Sequence, residues 1–221
     1  MKMRILFSIL VVSFIHIGFC HTQVKPVELS HYIFPDFVTG EVVFKDGSKR
    51  TANLNYNSMT EEMVFNNRGE ILAMSETDLR RVDTVILKER RFFLMDDFFV
   101  ELAYQGNNEL FVQHRCRVNR PGSRGAYGTE SHSSASTSYA SLVSAGHIYQ
   151  LELPEGYKAD PYLVFWVKRD GELNRFSNMR QLRRIFRDQR DDIRTFAREH
   201  EVDFNEAESI VSLIEYLESN N

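Results

Sequence analysis

Metal ligation and nucleophilic catalysis are the two chemistries that the side chains of this chain could most directly serve. His114 and Cys116 lie two residues apart in an alternating stretch. On a strand that spacing puts both on one face, about 7 Å apart, too far to chelate one ion unless other ligands close in. His132 and His147 are the downstream histidines that could do so, but no Cys-x-x-Cys or His-x-x-x-His spacing accompanies them. The pair therefore reads as a half-buried imidazole and a buried, unreactive thiol on a core face. Ser133, Ser134, Ser136, Ser138 and Ser141 offer hydroxyls, with His132 or His147 as a conceivable base. A serine nucleophile needs a strained presentation such as Gly-x-Ser-x-Gly and an orienting acid, and neither is present. Asp96-Asp97 has no partner that spacing alone would single out as a second catalytic carboxylate. Phosphate-binding and dinucleotide fingerprints are missing as well. No catalytic, metal or cofactor-binding residue is assigned, and no cofactor is expected.

Recognition is better served than catalysis. The Ser/Gly-rich stretch from Arg120 to Gly146 is far longer than a hairpin turn requires, and it holds Tyr127, His132 and Tyr139 among small polar residues. Aromatic rings among adaptable Ser and Gly supply contact area and hydrogen bonding, so these three are the candidate binding residues. A second feature is the arginine cluster Arg175, Arg180, Arg183, Arg184, Arg187, Arg190, Arg194 and Arg198. Asp188, Asp191, Asp192, Glu199 and Glu201 are interleaved with it, which predicts a solvated, salt-bridged helix face rather than a nucleic-acid surface.

The elements that must position these residues follow a strand-and-turn pattern up to Phe176. Glu41–Phe44, Thr51–Tyr56, Glu62–Phe65 and Glu70–Met74 are separated by Lys45-Asp46-Gly47-Ser48 and by Asn66-Asn67-Arg68-Gly69, both turn sequences. Thr84–Leu87, Phe92–Leu94, Phe98–Tyr104, Leu110–Val118, His147–Leu153 and Tyr162–Lys168 follow, rich in β-branched and aromatic residues. Within Leu110–Val118, Leu110, Val112, His114, Cys116 and Val118 share an inner face. Asp170-Gly171 then turns the chain into Glu172–Phe176. From Ser177 the apolar period becomes helical: Met179, Leu182, Ile185 and Phe186, then Ile193 and Phe196, then Ile210, Val211, Ile214 and Leu217. Ser177, Asp188 and Asn205 are the expected caps. The fold class is α+β: an antiparallel β-sandwich or open barrel over residues 21–176, followed by a short C-terminal helical segment, 177–221.

Lys2 and Arg4 precede the apolar run Ile5–Phe19, and polar residues follow from His21, which is the layout of a cleaved signal peptide covering residues 1–20. Its removal takes the formal net charge from −4 to −6, since Lys2 and Arg4 leave while all 31 acidic residues stay. That balance gives no reason to expect nucleic acid as a partner. Cys116 is then the single cysteine, so no internal disulfide can form and no staple framework is expected. After cleavage no membrane span remains. The expected location is outside the cell, in the periplasm or on the envelope.

Gly40 with Val42-Val43-Phe44-Lys45-Asp46-Gly47, Leu54-Asn55-Tyr56-Asn57, Glu61-Glu62-Met63-Val64-Phe65, Ala126-Tyr127-Gly128 and the Leu182/Ile185/Phe186 and Ile193/Phe196 stripes together resemble a family of uncharacterised secreted proteins from Bacteroidetes-type bacteria. The resemblance spans most of the chain beyond the leader, and it implies secretion and a β-rich domain with a helical end, without adding a catalytic residue. The functional expectation is a secreted or envelope-associated, non-catalytic binding or structural module whose partner is an envelope protein or a glycan. The alternatives are a hydrolase without a recognisable motif, or a subunit of a cell-surface assembly. Expression in a secreting host should yield a chain whose intact mass has lost residues 1–20; retention of Met1–Phe19 would overturn the leader assignment.

Overall fold

The computed structural model describes residues 31–119, 123–124, 130–131 and 157–220. Ten strands form one open antiparallel sheet. They are β1 (Val38–Phe44), β2 (Lys49–Asn57), β3 (Glu62–Asn67), β4 (Glu70–Ala73), β5 (Val82–Leu87), β6 (Arg90–Met95), β7 (Phe98–Gln105), β8 (Glu109–Asn119), β11 (Lys158–Arg169) and β12 (Glu172–Phe176). Two short strands, β9 (Ser123–Arg124) and β10 (Glu130–Ser131), pair separately. The helices are α1 (Glu76–Arg81), α2 (Met179–Ile185), α3 (Arg190–Glu199) and α4 (Ala207–Ser219). In the sheet the order is β12-β11-β8-β7-β6-β5-β1-β2-β3-β4, with β1 inserted between β2 and β5. The β-rich domain and the helical end thus agree with expectation, and the sheet does not close. The expected strand His147–Leu153 lies outside the described residues.

Turn chemistry explains most of the hairpins. Asp170 and Gly171 take φ of 53° and 81°, the pair of positive values that a two-residue hairpin turn requires between β11 and β12. The turn between β5 and β6 has the same character, with Lys88 at 45° and Glu89 at 70°. No glycine marks it in the sequence. Helix α1 was not expected at all. Its start is set by Ser75, whose hydroxyl accepts from the Asp78 N–H at 3.2 Å and donates to the Asp78 carboxylate at 2.9 Å. The later caps also sit one residue beyond expectation, at Asn178, Gln189 and Glu206, and only Asn178 makes a side-chain cap.

Two apolar cores sit along this sheet. One gathers Val42, Phe44, Leu54, Tyr56, Met63, Val85, Leu87, Phe92 and Phe99 from β1–β3 and β5–β7, with Phe34 of the lead-in. The other packs Leu110, Val112, Phe165, Val167 and Phe176 against Leu182, Phe186, Ile193, Phe196, Ile210, Leu213, Ile214 and Leu217 of the helices. The one-sided helices bury their stripes on the sheet, as short amphipathic helices must. Polar ties fix the arrangement. Arg169 of β11 holds Asp188 through two bonds of 2.9 and 2.6 Å. Gln189 Nε2 donates to the Leu217 carbonyl at 2.6 Å. Glu218 at the end of α4 accepts from the Asn107 and Asn108 N–H groups at 3.0 and 2.6 Å and from Tyr104 Oη at 3.0 Å.

Between β7 and β8 the ladder runs only from Glu101↔Val112 to Gln105↔Glu109, while β8 continues beside β11 as far as Asn119↔Lys158. The end of β2 and the β2–β3 turn fill the opening left between the two strands. Fully buried Tyr56 places its hydroxyl 3.2 Å from the Phe99 carbonyl of β7 and 3.1 Å from the His114 carbonyl of β8. Glu61, at φ 60°, accepts the Phe99 N–H on its carbonyl at 3.3 Å. Its carboxylate accepts Arg115 Nε at 2.6 Å and the Gln113 amide, whose oxygen in turn accepts Trp166 Nε1 at 3.0 Å. Gln113, expected on the outer face of β8, is consequently only 4 % exposed.

The arginine cluster is solvated as expected, but among the described residues only its Arg194 is salt-bridged. Asp188 is taken by Arg169, which lies outside the cluster, and Asp191 pairs with Arg194 at 2.8 Å. Among the described residues no carboxylate pairs with Arg180, Arg183, Arg184, Arg187 or Arg190.

Replacing Tyr56 by Phe removes the hydroxyl shared by two buried carbonyls, so a loss of about 1–3 kcal/mol is expected from a denaturant midpoint shift at unchanged slope. Wild-type stability in that variant would show that Tyr56 does not hold the β7–β8 opening.

Candidate functional site

Beside the β7–β8 opening lies a cavity of about 450 Å³ lined by Tyr32, Ile33, Ser58, Arg90, His114, Arg115, Ala159, Pro161, Tyr162 and Leu163. Its volume falls in the range of small-molecule sites. Three elements build it. The lead-in segment is pinned to β2 by Ile33 N–H to the Tyr56 carbonyl at 3.1 Å, Ser58 N–H to the His31 carbonyl at 2.8 Å, and Asn55 Nδ2 to the Phe34 carbonyl at 2.8 Å. The β8–β11 register sets Leu163 opposite His114, and Tyr162 opposite Arg115. Strand β6 contributes Arg90, whose guanidinium lies over the Phe34 ring at 5.3 Å and the Phe92 ring at 5.6 Å.

Behind these residues is a charged trio. Glu101 of β7 accepts Arg90 Nε at 2.6 Å on one oxygen, and Arg90 Nη2 with His114 Nε2 on the other, the histidine at 2.6 Å. An Nε2–H tautomer satisfies the last contact and makes the 3.1 Å approach of Arg90 Nη2 to the same nitrogen a packing contact rather than a bond. Burial opposes ionisation of Glu101 most strongly, but the Arg90 and then the His114 hydrogen bonds outweigh it and hold the carboxyl at about 2 instead of 4.5. The carboxylate is therefore ionised at every physiological pH. A guanidinium already on both carboxylate oxygens leaves no favourable place for a metal cation here. Arg115 is held by Glu61 through a single Nε bond of 2.6 Å. Arg115 and Arg117 stand over the Tyr162 ring at 5.7 and 4.4 Å.

Cys116 does share a face with His114, but it is half-buried rather than buried. It packs with Met59, Val118 and Tyr157. Burial pushes its thiol up to about 11, with Asp160 adding to the effect, so it carries almost no thiolate at neutral pH. Asp96 and Asp97 are exposed residues of the β6–β7 turn, and neither lines this cavity. Tyr127, His132 and Tyr139 lie outside the described residues. Their segment leaves β8 at Asn119 and enters β11 at Lys158, two residues that face each other near the cavity end of that strand pair.

Sequence inspection singled out His114 and missed Arg90, Glu101, Tyr32 and Tyr162. One signal was available: Glu101 sits with Phe99 and Ala103 on a single parity, a carboxylate on an apolar strand face. Such a placement demands a partner. Comparison with protein families, with curated proteins and with solved structures finds no match for this chain. No helix among the described residues is long and apolar enough to cross a membrane.

Because the Glu101 pKa is depressed on folding, the stability it contributes is complete above about pH 4.5 and is lost as pH falls toward 2. Glu101→Gln should cost about 1.5–3 kcal/mol at pH 7, and denaturation followed from pH 7 to pH 2 should show that difference shrinking below pH 4.5. A constant difference across the range would contradict the pairing.

Proposed function

We propose that this protein is a secreted or envelope-associated, non-catalytic binding module, and that the cavity between the lead-in segment and the β8–β11 strands takes a glycan. The observation that carries this reading is the composition of the cavity: tyrosine rings from Tyr32 and Tyr162 in its lining, with arginine donors held by half-buried carboxylates, and the His114 imidazole, between them. Flat rings suit the apolar faces of sugars and fixed donors suit their hydroxyls. A cavity of about 450 Å³ fits a few sugar units better than a protein partner, whose specific interface buries about 800 Å² per side. The contacts of the β2–β3 turn with β7 and β8 further support reading the curled sheet as an open barrel, whose mouth is a common place for such sites.

A hydrolase is the second reading, and one feature favours it: the imidazole of His114 is oriented by a carboxylate, as a general base would be. The nucleophile is what is missing. Ser58 spends its hydroxyl hydrogen on the His31 carbonyl at 2.7 Å, and the Cys116 thiol is held protonated. Binding without turnover is the better account of these side chains.

Calorimetric titration of the chain lacking residues 1–20 with a panel of neutral and N-acetylated oligosaccharides should find at least one ligand with Kd below about 1 mM. Tyr162→Ala should weaken it about tenfold, near 1.4 kcal/mol, without lowering the melting temperature. An entire panel without heat, an unaffected Tyr162→Ala variant, or hydrolysis of the ligand during titration would each overturn this function.

A further inference from the structure

Helix α2 and the turn after it carry a surface that the cavity does not explain. Arg180, Arg183, Arg184 and Arg187 follow one another at i, i+3, i+4 and i+7, and Arg190 begins α3 beside them. All five are exposed. Arg187 donates its Nε to the Arg184 carbonyl at 3.1 Å, and Arg190 donates its Nε to the Arg183 carbonyl at 3.2 Å. These bonds satisfy carbonyls in the last turn of α2, where positive charge is favoured. Each also fixes the root of a guanidinium while leaving its Nη groups for something else.

Among the described residues none of the five has a carboxylate partner, as the pairings of Asp188 with Arg169 and of Asp191 with Arg194 leave them. Like charges at i, i+3 and i+4 destabilise a helix by a few tenths of a kcal/mol per pair. In a chain of formal net charge −4 the concentration of unneutralised arginine on one short stretch is a local inversion of the overall field. An arrangement that costs stability in the free protein is relieved when anions bind across it.

We infer that this arginine face binds an acidic polysaccharide, a chain of carboxylate-bearing sugars whose charges engage several guanidinium groups at once. The face carries no exposed large apolar side chain; among the described residues Leu173 on β12, 43 % exposed, is the only one. Insertion into a lipid surface needs an apolar side beneath the basic one, and a single-stranded nucleic acid needs exposed rings on which bases stack. A carbohydrate polyanion needs neither. Charge-assisted bonds from guanidinium to carboxylate suffice, each able to form as two parallel N–H···O bonds in one plane.

The test is the affinity of the chain for fluorescently labelled polygalacturonate between about 50 and 200 mM salt, with neutral dextran as the control polymer. Wild-type protein should bind polygalacturonate with a Kd that rises steeply with salt and should ignore dextran. The double substitution Arg180→Gln with Arg184→Gln should weaken binding at least tenfold and flatten the salt dependence, with the melting temperature unchanged or raised. Arg180→Lys with Arg184→Lys, which keeps the charge, should retain most of the affinity. Arg194→Gln, on the paired arginine of α3, should bind like wild type. Absence of salt-dependent binding, an unaffected Gln double variant, or tighter binding to a DNA duplex or to phosphatidylglycerol vesicles would overturn the proposal. The cavity variant Tyr162→Ala should leave polygalacturonate binding intact, so failure at one site is distinguishable from failure at the other.

Discussion

A wide antiparallel sheet that curls cannot keep every neighbouring pair of strands hydrogen-bonded along its full length, and here the ladder gives way between β7 and β8 beyond Glu101 and Val112. Backbone groups freed in that way must find other partners. Tyr56 near the end of β2 and Glu61 of the β2–β3 turn supply them, the first through one hydroxyl near two carbonyls, the second through its own carbonyl, while the Glu61 carboxylate holds the side chains of Gln113 and Arg115. The consequence is structural at long range. Strands far apart in sheet order are tied together, the core of β1–β3 and β5–β7 is enclosed, and β8 is released to run beside β11 and form one wall of the cavity.

The same turn governs the chemistry of the site. Glu61 fixes Arg115, and Glu101, at the last rung of the broken ladder, fixes Arg90 and His114. Removing a carboxylate from water is unfavourable unless donors surround it, and both glutamates meet that condition with arginine. The benefit for recognition is that the guanidinium groups lose little freedom when a ligand arrives, since most of it was already lost on folding. A depressed carboxyl at Glu101 reports that the ion pair overcomes its burial.

At the helical end the logic is different. Apolar residues there are spent on the sheet, and acidic ones are drawn off to Arg169 and Arg194, so the arginines of α2 are left facing water with their roots tethered. Sequence proximity of opposite charges suggested neutralisation. In the fold, Asp188 points to β11 instead, because the turn that carries it packs on that strand. Charge pairing on a surface is a matter of direction as much as of spacing.

By itself the sequence determined what depends on near neighbours. Alternation in Leu110–Val118, the Asp170-Gly171 turn and the stripe Leu182/Phe186, Ile193/Phe196, Ile210/Ile214/Leu217 fixed strand, turn and helix types, since each rests on a local period or a positive φ that glycine tolerates. Helix α1 was signalled by Ser75 and Asp78 in the same local manner, though faintly in so short an element. Only the tertiary structure decided that β1 lies between β2 and β5, that Lys88-Glu89 turns without glycine, and that Arg90, Glu101 and His114 meet. The physical reason is that strand order and register are set by which faces can be buried together, a property of segments dozens of residues apart, so a one-residue shift in pairing would have sent Glu101 and His114 to opposite sides of the sheet.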